Sequence, residues 1–160
     1  MKVVSNASVL IALAKLGIAD LLEKLFGVII VPHVVFIEVT RNIRKPGARI
    51  FKEAKWLNIV NPRNEALVNA LLDILDEGEA YAIALAREID ADLVLLDEKE
   101  ARRIAKRLKL KVMGTLGVLI LAKRKGYLNL VKPLIDKLKE MGFRLSDKVV
   151  MNALRLAGEE

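Results

Sequence analysis

The stretch Lys2-Val3-Val4-Ser5-Asn6-Ala7-Ser8 opens the chain with a short apolar strand and passes at once into a helical pattern of apolar residues, Val9, Leu10, Leu13 and Leu16. Asn6 stands where the strand ends. In α/β proteins, side chains that leave the carboxyl ends of strands face the crevice in which ligands bind. Asn6 is therefore the first candidate site residue.

The later strands define the fold class. Further β-rich runs occur at Val28–Val31, Asn58–Val60, Leu93–Leu96 and, less clearly, Lys111–Met113. These runs are mostly apolar at consecutive positions, which predicts strands that are buried on both faces. Such strands are typical of a parallel sheet that is covered by helices and connected by right-handed crossovers. We therefore expect an α/β fold with a central parallel sheet.

Helical periodicity fills the segments between these strands. Helices are predicted at about 7–16, 19–26, 33–43, 47–55, 64–75, 77–89, 98–108, 115–125, 130–141 and 146–157. Pro32 fits an N-terminal helix turn, Gly78 a short link, and Ser146 an N-cap. The chain contains no internal repeat or linker, so we expect a single domain over residues 1–160.

Composition narrows the function classes. The chain has no cysteine, so disulfides, thiolate metal sites and cysteine nucleophiles are excluded. No apolar run reaches the roughly 18 residues of a membrane helix, and the first residues are unlike a signal peptide. We expect a cytoplasmic protein with no membrane partner. Glutamine is absent and Lys, Arg and Glu are abundant, a bias found in thermophile proteins.

Positive charge is concentrated late in the chain. Residues from Lys99 onward carry 16 Lys and Arg against 6 Asp and Glu, whereas the residues before it carry 11 against 14. A cationic surface beside an acidic pocket suits a nucleic acid that is held by its phosphates. A solvated helix face is the alternative interpretation. The candidate phosphate-binding residues lie on the first basic helix: Lys99, Arg102, Arg103, Lys106 and Arg107.

Three carboxylates are candidates to join Asn6. Glu38 lies among apolar residues of the helix after the second strand, and a charge in such a setting needs a partner. Glu79 lies in the first turn of a predicted helix, where it could equally be a simple helix-start charge. Asp97 ends the strand Leu93–Leu96, where it could instead be an N-cap. Glu98 and Glu100 are weaker candidates.

Together, these residues favour a metal site. Oxygen ligands without His or Cys favour Mg²⁺ or Mn²⁺ over zinc. Such an ion lowers the pKa of a bound water and offsets charge on phosphate oxygens, as carboxylate nucleases require. We therefore predict that Asn6, Glu38, Glu79 and Asp97 converge in one cleft.

The chain also resembles a known family. The similarity rests on the order and spacing of short motifs that cover nearly all of the sequence, rather than on any single motif. These motifs are Val4–Ser8 with Leu10–Leu13, Val31-Pro32 leading to Glu38, Glu77–Ala80 with Ala82–Ala86, Leu95–Glu98, Gly114–Gly117 and Gly142–Asp147. In this arrangement the sequence resembles short prokaryotic PIN-domain proteins.

The resemblance implies a three-layer α/β/α fold and metal-dependent endoribonuclease activity. It further implies a toxin of a toxin–antitoxin pair, with a small antitoxin as partner and a homodimeric assembly. The acidic positions of the family fall on Asn6, Glu38, Glu79 and Asp97, with Glu98 assisting. Asn6 departs from this pattern, because an amide oxygen ligates Mg²⁺ without contributing charge.

Three other residues attract attention. His33, the only histidine, is interpreted as a capping or surface residue rather than a general base. Trp56 is expected to pack its side chain. Thr115 is expected to cap the next helix, with a phosphate contact as the alternative. The motif Gly114–Gly117 lacks the glycine spacing and lysine of a P-loop.

Three functional interpretations therefore stay open. The first is an active ribonuclease that uses Mg²⁺ or Mn²⁺. The second is a catalytically impaired PIN domain that binds RNA or a partner protein, because Asn6 replaces an acidic ligand. The third is an α/β protein whose acidic crevice does not serve nucleic acid.

Overall fold

The computed structural model describes residues 1–160 and contains a sheet of five parallel strands. The strands are β1 (Val3–Ser5), β2 (Ile29–Val31), β3 (Leu57–Ile59), β4 (Leu93–Leu95) and β5 (Val112–Met113). Their order in the sheet is β3-β2-β1-β4-β5. The chain thus builds outward from β1 to β3 and then returns to the other side of β1. The reversal places a topological switch point between the carboxyl ends of β1 and β4.

Ten helices cover the sheet. They are α1 (Ala7–Lys15), α2 (Leu21–Phe26), α3 (His33–Thr40), α4 (Ala48–Glu53), α5 (Glu65–Leu72), α6 (Glu77–Glu88), α7 (Lys99–Arg107), α8 (Thr115–Arg124), α9 (Lys132–Glu140) and α10 (Asp147–Leu156). Several predicted helices end earlier than expected. The helix predicted over 33–43 stops at Thr40, and Asn42 then accepts the backbone N–H of Arg44 in a turn.

Alternation of side chains along the strands divides the core into two clusters. Val3, Leu93 and Leu95 face one cluster together with apolar residues of α1 to α4 and α8 to α10. Val4, Val94 and Leu96 face the other, with residues of α5, α6 and α7. Because successive strand residues point to opposite faces, one sheet buries both clusters. The expected three-layer α/β/α fold is confirmed.

The prediction that every strand is buried on both faces is wrong at the edges. In β3, Asn58 and Ile59 are exposed, and both residues of β5 are only half-buried. These strands are the two edges of the sheet, each with a neighbouring strand on one side only. Gly78 also differs from its predicted place in a link, because it lies within the first turn of α6.

Candidate metal and nucleic-acid site

Asn6 lies at the switch point, where it continues the pairing of β1 with β4. Its backbone N–H donates to the carbonyl of Leu95 at 3.1 Å. It occupies the N-cap position of α1, yet its side chain makes no capping hydrogen bond. The residue is buried at 7% exposure. Its side chain is thus available for contacts beyond its own helix.

Gly78 brings α6 close to Asn6 and Glu38. A Cβ added to Gly78 would lie 2.8 Å from Asn6 Oδ1 and 3.5 Å from Glu38 Oε1. The two oxygens, one from the residue that follows β1 and one from α3, therefore border the same small space next to the backbone of α6. Only glycine leaves this space open, because it lacks a Cβ.

The surroundings of Glu38 differ from the sequence expectation. We expected this carboxylate to lie among core residues, but Glu38 is exposed on α3. Partial burial of its carboxylate and the nearby charge of Asp76 raise its pKa, while Arg41 and Lys45 act in the opposite direction. The lining of the cleft around Glu38 also contains the acids Asp76 and Glu77 and the cation Arg41.

Glu79 stabilises the start of α6, which is the helix-start role that the sequence offered as an alternative to metal binding. Its N–H donates to Asp76 Oδ1 at 2.8 Å, and its Oε1 accepts the N–H of Asp76 at 3.2 Å. This reciprocal pair is a capping box. Burial, followed by the charges of Asp76 and Glu98, raises the pKa of Glu79 to about 7.

Asp97 is held by the helix after β5. Its Oδ1 accepts the backbone N–H of Thr115 at 2.7 Å, and its Oδ2 accepts the Thr115 hydroxyl at 2.8 Å. The expectation that Thr115 caps α8 is wrong, since Gly114 is the N-cap. The N-cap alternative for Asp97 on α7 is also wrong, because Glu98 occupies that position.

The structure thus assembles the predicted residues in two parts. Asn6 and Glu38 meet at Gly78, with Glu79 capping the same helix beside them. Asp97 follows β4, the strand next to β1, but its carboxylate is directed to Thr115. No three acidic or histidine side chains lie together closely enough to form a ready metal cluster.

The donor set nevertheless fits Mg²⁺ or Mn²⁺. Mg²⁺ typically takes one or two carboxylates and keeps several waters, so it does not need a cage of three. Asn6 Oδ1 and Glu38 Oε1 border the open space at Gly78, and both are oxygen donors. These features suit a small hydrated dication.

The basic residues of α7 have different environments. Lys99, Arg103, Lys106 and Arg107 are exposed, whereas Arg102 is half-buried and donates to the Leu96 carbonyl at 3.2 Å. A Cβ on Gly114 would lie 2.7 Å from Arg102 Nη1. Arg102 therefore packs against the strand end beside Asp97. Arg103 forms an exposed ion pair with Glu100.

Sequence reasoning missed two residues of the cleft, Asp76 and Arg41. The pattern Asp76-x-x-Glu79 is a capping-box signal that was present in the sequence. Arg41 had no comparable signal. The expectations for His33 and Trp56 are confirmed: His33 is exposed, and Trp56 packs edge-on against Phe51, with ring centroids 6.2 Å apart.

The fold and the site define the chain as a doubly wound α/β protein with an oxygen-rich cleft at its switch point. A family model described as a PIN domain matches residues 2–159. The chain therefore belongs to the PIN-domain family, which confirms the resemblance and indicates a nuclease-type function. PIN domains generally use divalent metals and bind RNA. A search of curated proteins finds no match, and no helix here is long and apolar enough to cross a membrane.

Proposed function

We propose that this PIN domain is an endoribonuclease that uses Mg²⁺ or Mn²⁺ to hydrolyse RNA phosphodiester bonds. The observation that carries the proposal is the meeting of Asn6 Oδ1 and Glu38 Oε1 above Gly78, at the switch point of the sheet. Ligand sites of doubly wound folds lie at this place. The family's nuclease-type function supports the same conclusion.

Each predicted residue has a distinct role in this proposal. Asn6 and Glu38 would hold the ion, and Asp97 would bind from the neighbouring strand end. When bound, the ion supplies an activated water and offsets charge on the phosphate. Glu79 would join these residues as a ligand, because the charge of a bound ion favours the ionised carboxylate that burial and Asp76 disfavour in the free protein. Thr115 keeps the Asp97 carboxylate in a fixed orientation.

The exposed cations of α7 would hold RNA by its phosphates. This helix begins directly after Asp97 and Glu98, so its first turn is beside the proposed site. Lys99, Lys106 and Arg107 are exposed and form no ion pair, whereas Arg103 would have to release Glu100. We therefore assign RNA binding to the exposed members of the set and a structural role to Arg102.

Cleavage of a labelled single-stranded RNA tests the proposal. Parent protein, Glu38→Gln, Asp97→Asn and the control Glu65→Gln are compared with Mn²⁺, with Mg²⁺ and with EDTA. Glu65 is an exposed acid in the first turn of α5, outside the cleft. We expect metal-dependent cleavage by the parent and the control and a loss of at least about a hundredfold in both site variants. Metal-independent cleavage, or equal activity in all four proteins, would contradict the proposal.

We extend the proposal to a toxin that is restrained by a small antitoxin protein and assembles as a homodimer. Exposed apolar side chains on α10 support a protein-binding surface, with Val149, Met151 and Leu156 between 47% and 58% exposed. Growth arrest on expression, relieved by a site variant such as Glu38→Gln, is the expected result. Sedimentation of the purified protein tests the dimer.

A second candidate function is RNA or protein binding without cleavage. Asn6 favours it, because the amide contributes no charge to a cleft whose family counterpart begins with an acid. Charge count strongly affects the affinity of an oxygen site for a hard cation. RNA binding by a parent protein that neither binds Mn²⁺ nor cleaves RNA would favour this function.

A further inference from the structure

One cation lies among the carboxylates of the cleft. The cleft between α3 and α6 is lined by Val34, Ile37, Glu38, Arg41 and residues 76–78. Arg41 is the only basic residue in that lining. It follows α3 directly as the C-cap residue, so the helix end fixes its backbone beside Glu38.

The Arg41 guanidinium is not engaged within the protein. Arg41 is exposed, and it takes no part in any of the ion pairs that the structure forms. It still lies near enough to Glu38 to favour the charged carboxylate. Its charge and its hydrogen-bond donors are therefore free to meet an anion that enters the cleft.

Apolar side chains lie on the same side of the cleft. Val34 and Ile37, on successive turns of α3, line it together with Arg41, and Ile37 is 41% exposed. An apolar surface next to an unpaired guanidinium fits a nucleotide whose base or ribose is uncovered. Such a surface favours a single strand over a duplex, because a duplex hides the faces of its bases.

We propose that Arg41 binds a backbone phosphate of single-stranded RNA in this cleft, while Ile37 and Val34 contact the adjoining nucleoside. The inference rests on the proposed function and adds a substrate-binding residue to it. A guanidinium can donate two parallel hydrogen bonds to phosphate, which fixes the orientation of the strand as well as holding it. The RNA thus crosses the end of α3 in addition to the exposed cations of α7.

The test compares Arg41→Ala and Arg41→Lys with the control Arg44→Ala. Arg44 is an exposed arginine in the turn after α3 and does not line the cleft. Binding of a fluorescent single-stranded RNA is measured in EDTA over a salt series, so that cleavage does not interfere. KM is then measured with Mn²⁺.

We expect Arg41→Ala to weaken binding about tenfold at low salt and to reduce the salt slope by about 0.7. Arg41→Lys should recover part of the affinity, because it restores charge but not paired donors. Arg44→Ala should change affinity less than about twofold. A duplex RNA of the same sequence should bind less tightly than the single strand and be less sensitive to Arg41→Ala.

Several outcomes would overturn the inference. One is an equal loss of RNA affinity in Arg41→Ala and Arg44→Ala. Another is a duplex RNA that binds as tightly as the single strand. If Arg41 only offsets the carboxylates, Arg41→Ala should tighten Mn²⁺ binding and leave RNA affinity and KM unchanged. A parent protein that binds RNA through Arg41 but never cleaves it would uphold this inference and contradict the proposed function. If the parent protein cleaves RNA and Arg41→Ala leaves KM unchanged, the proposed function is upheld and this inference is contradicted.

Discussion

Both carboxylate oxygens of Asp97 accept hydrogen bonds from Thr115, one from its backbone N–H and one from its hydroxyl. The two residues are 18 positions apart, and the pair joins the end of β4 to the start of α8. Asp97 thereby satisfies a free N–H at the start of α8 and has its own rotamer fixed. Orientation of a carboxylate by a partner is a general requirement of metal sites.

We predict that Thr115→Val lowers both stability and cleavage. Valine keeps the shape and the backbone N–H but removes the hydroxyl donor, which should cost about 1–2 kcal/mol of unfolding free energy. Urea unfolding and cleavage of labelled RNA measure the two effects. Thr115→Ser, which keeps the hydroxyl, should recover the activity. If Thr115→Ser is as inactive as Thr115→Val, the hydroxyl does not position Asp97.

The sequence predicted where the strands end better than it predicted which side chains come together at those ends. Asn6 and Asp97 were identified because apolar strands end visibly at these residues, and parallel strands align their carboxyl ends. The placement of Arg41 beside Glu38 and Asp76 depends on how α3 packs against α6. No local sequence pattern encodes how closely these two helices pack. Glu38 was wrongly expected among core residues because apolar neighbours in sequence do not reveal which face of a short helix is exposed.

We predict that Gly78→Ala weakens metal binding while the fold is retained. The added methyl would lie 2.8 Å from Asn6 Oδ1 and would occupy the space that Asn6 and Glu38 share. Alanine favours a helix by up to about 1 kcal/mol over glycine, which opposes any loss of stability. Calorimetric titration with Mn²⁺ should show affinity reduced by at least about tenfold.

Gly117→Ala provides the matched control for this substitution. Gly117 also lies within a helix, and its added methyl would lie 2.6 Å from Cγ of Met113, which must shift but belongs to β5 and does not line the cleft. Mn²⁺ affinity should therefore stay at the parent value. A Gly78→Ala protein that binds Mn²⁺ as tightly as Gly117→Ala would move the ion site away from Asn6 and Glu38.

We predict that Glu159 stabilises the protein at neutral pH and not in strong acid. Burial acts to raise its pKa, but hydrogen bonds from Lys123 and from the N–H groups of Val131 and Lys132 outweigh burial and lower the pKa to about 2. A lowered pKa contributes stability that is complete above the unfolded value of about 4.3 and is lost as the pH falls toward 2.

Glu159→Gln should therefore destabilise the protein by about 1–3 kcal/mol at pH 7, and the difference from the parent should shrink between about pH 4.5 and pH 2. Glu160→Gln is the control, because Glu160 is exposed and its side chain accepts no hydrogen bond in the structure. Urea unfolding across this pH range gives the measurement. A pH-independent difference would indicate that packing, rather than charge, anchors this residue.

The last prediction concerns the amide at the switch point. Asn6→Asp should restore a charge next to Glu38, tighten Mn²⁺ or Mg²⁺ binding and raise RNA cleavage, whereas Asp97→Asn should weaken both. Without metal, the added carboxylate faces like charges and should slightly lower the thermal stability near neutral pH. Added Mn²⁺ should recover that loss, because an ion that binds only the folded state stabilises it.

Thermal melts with and without Mn²⁺, together with cleavage of labelled RNA, measure these effects in the parent and both variants. If Asn6→Asp changes neither the metal response nor cleavage while the parent is fully active, Asn6 does not contact the ion and the site must be centred closer to Asp97. If all three proteins ignore metal and leave RNA intact, binding without cleavage becomes the better description of this PIN domain. The two substitutions thus test separately where the ion binds and whether the protein cleaves RNA at all.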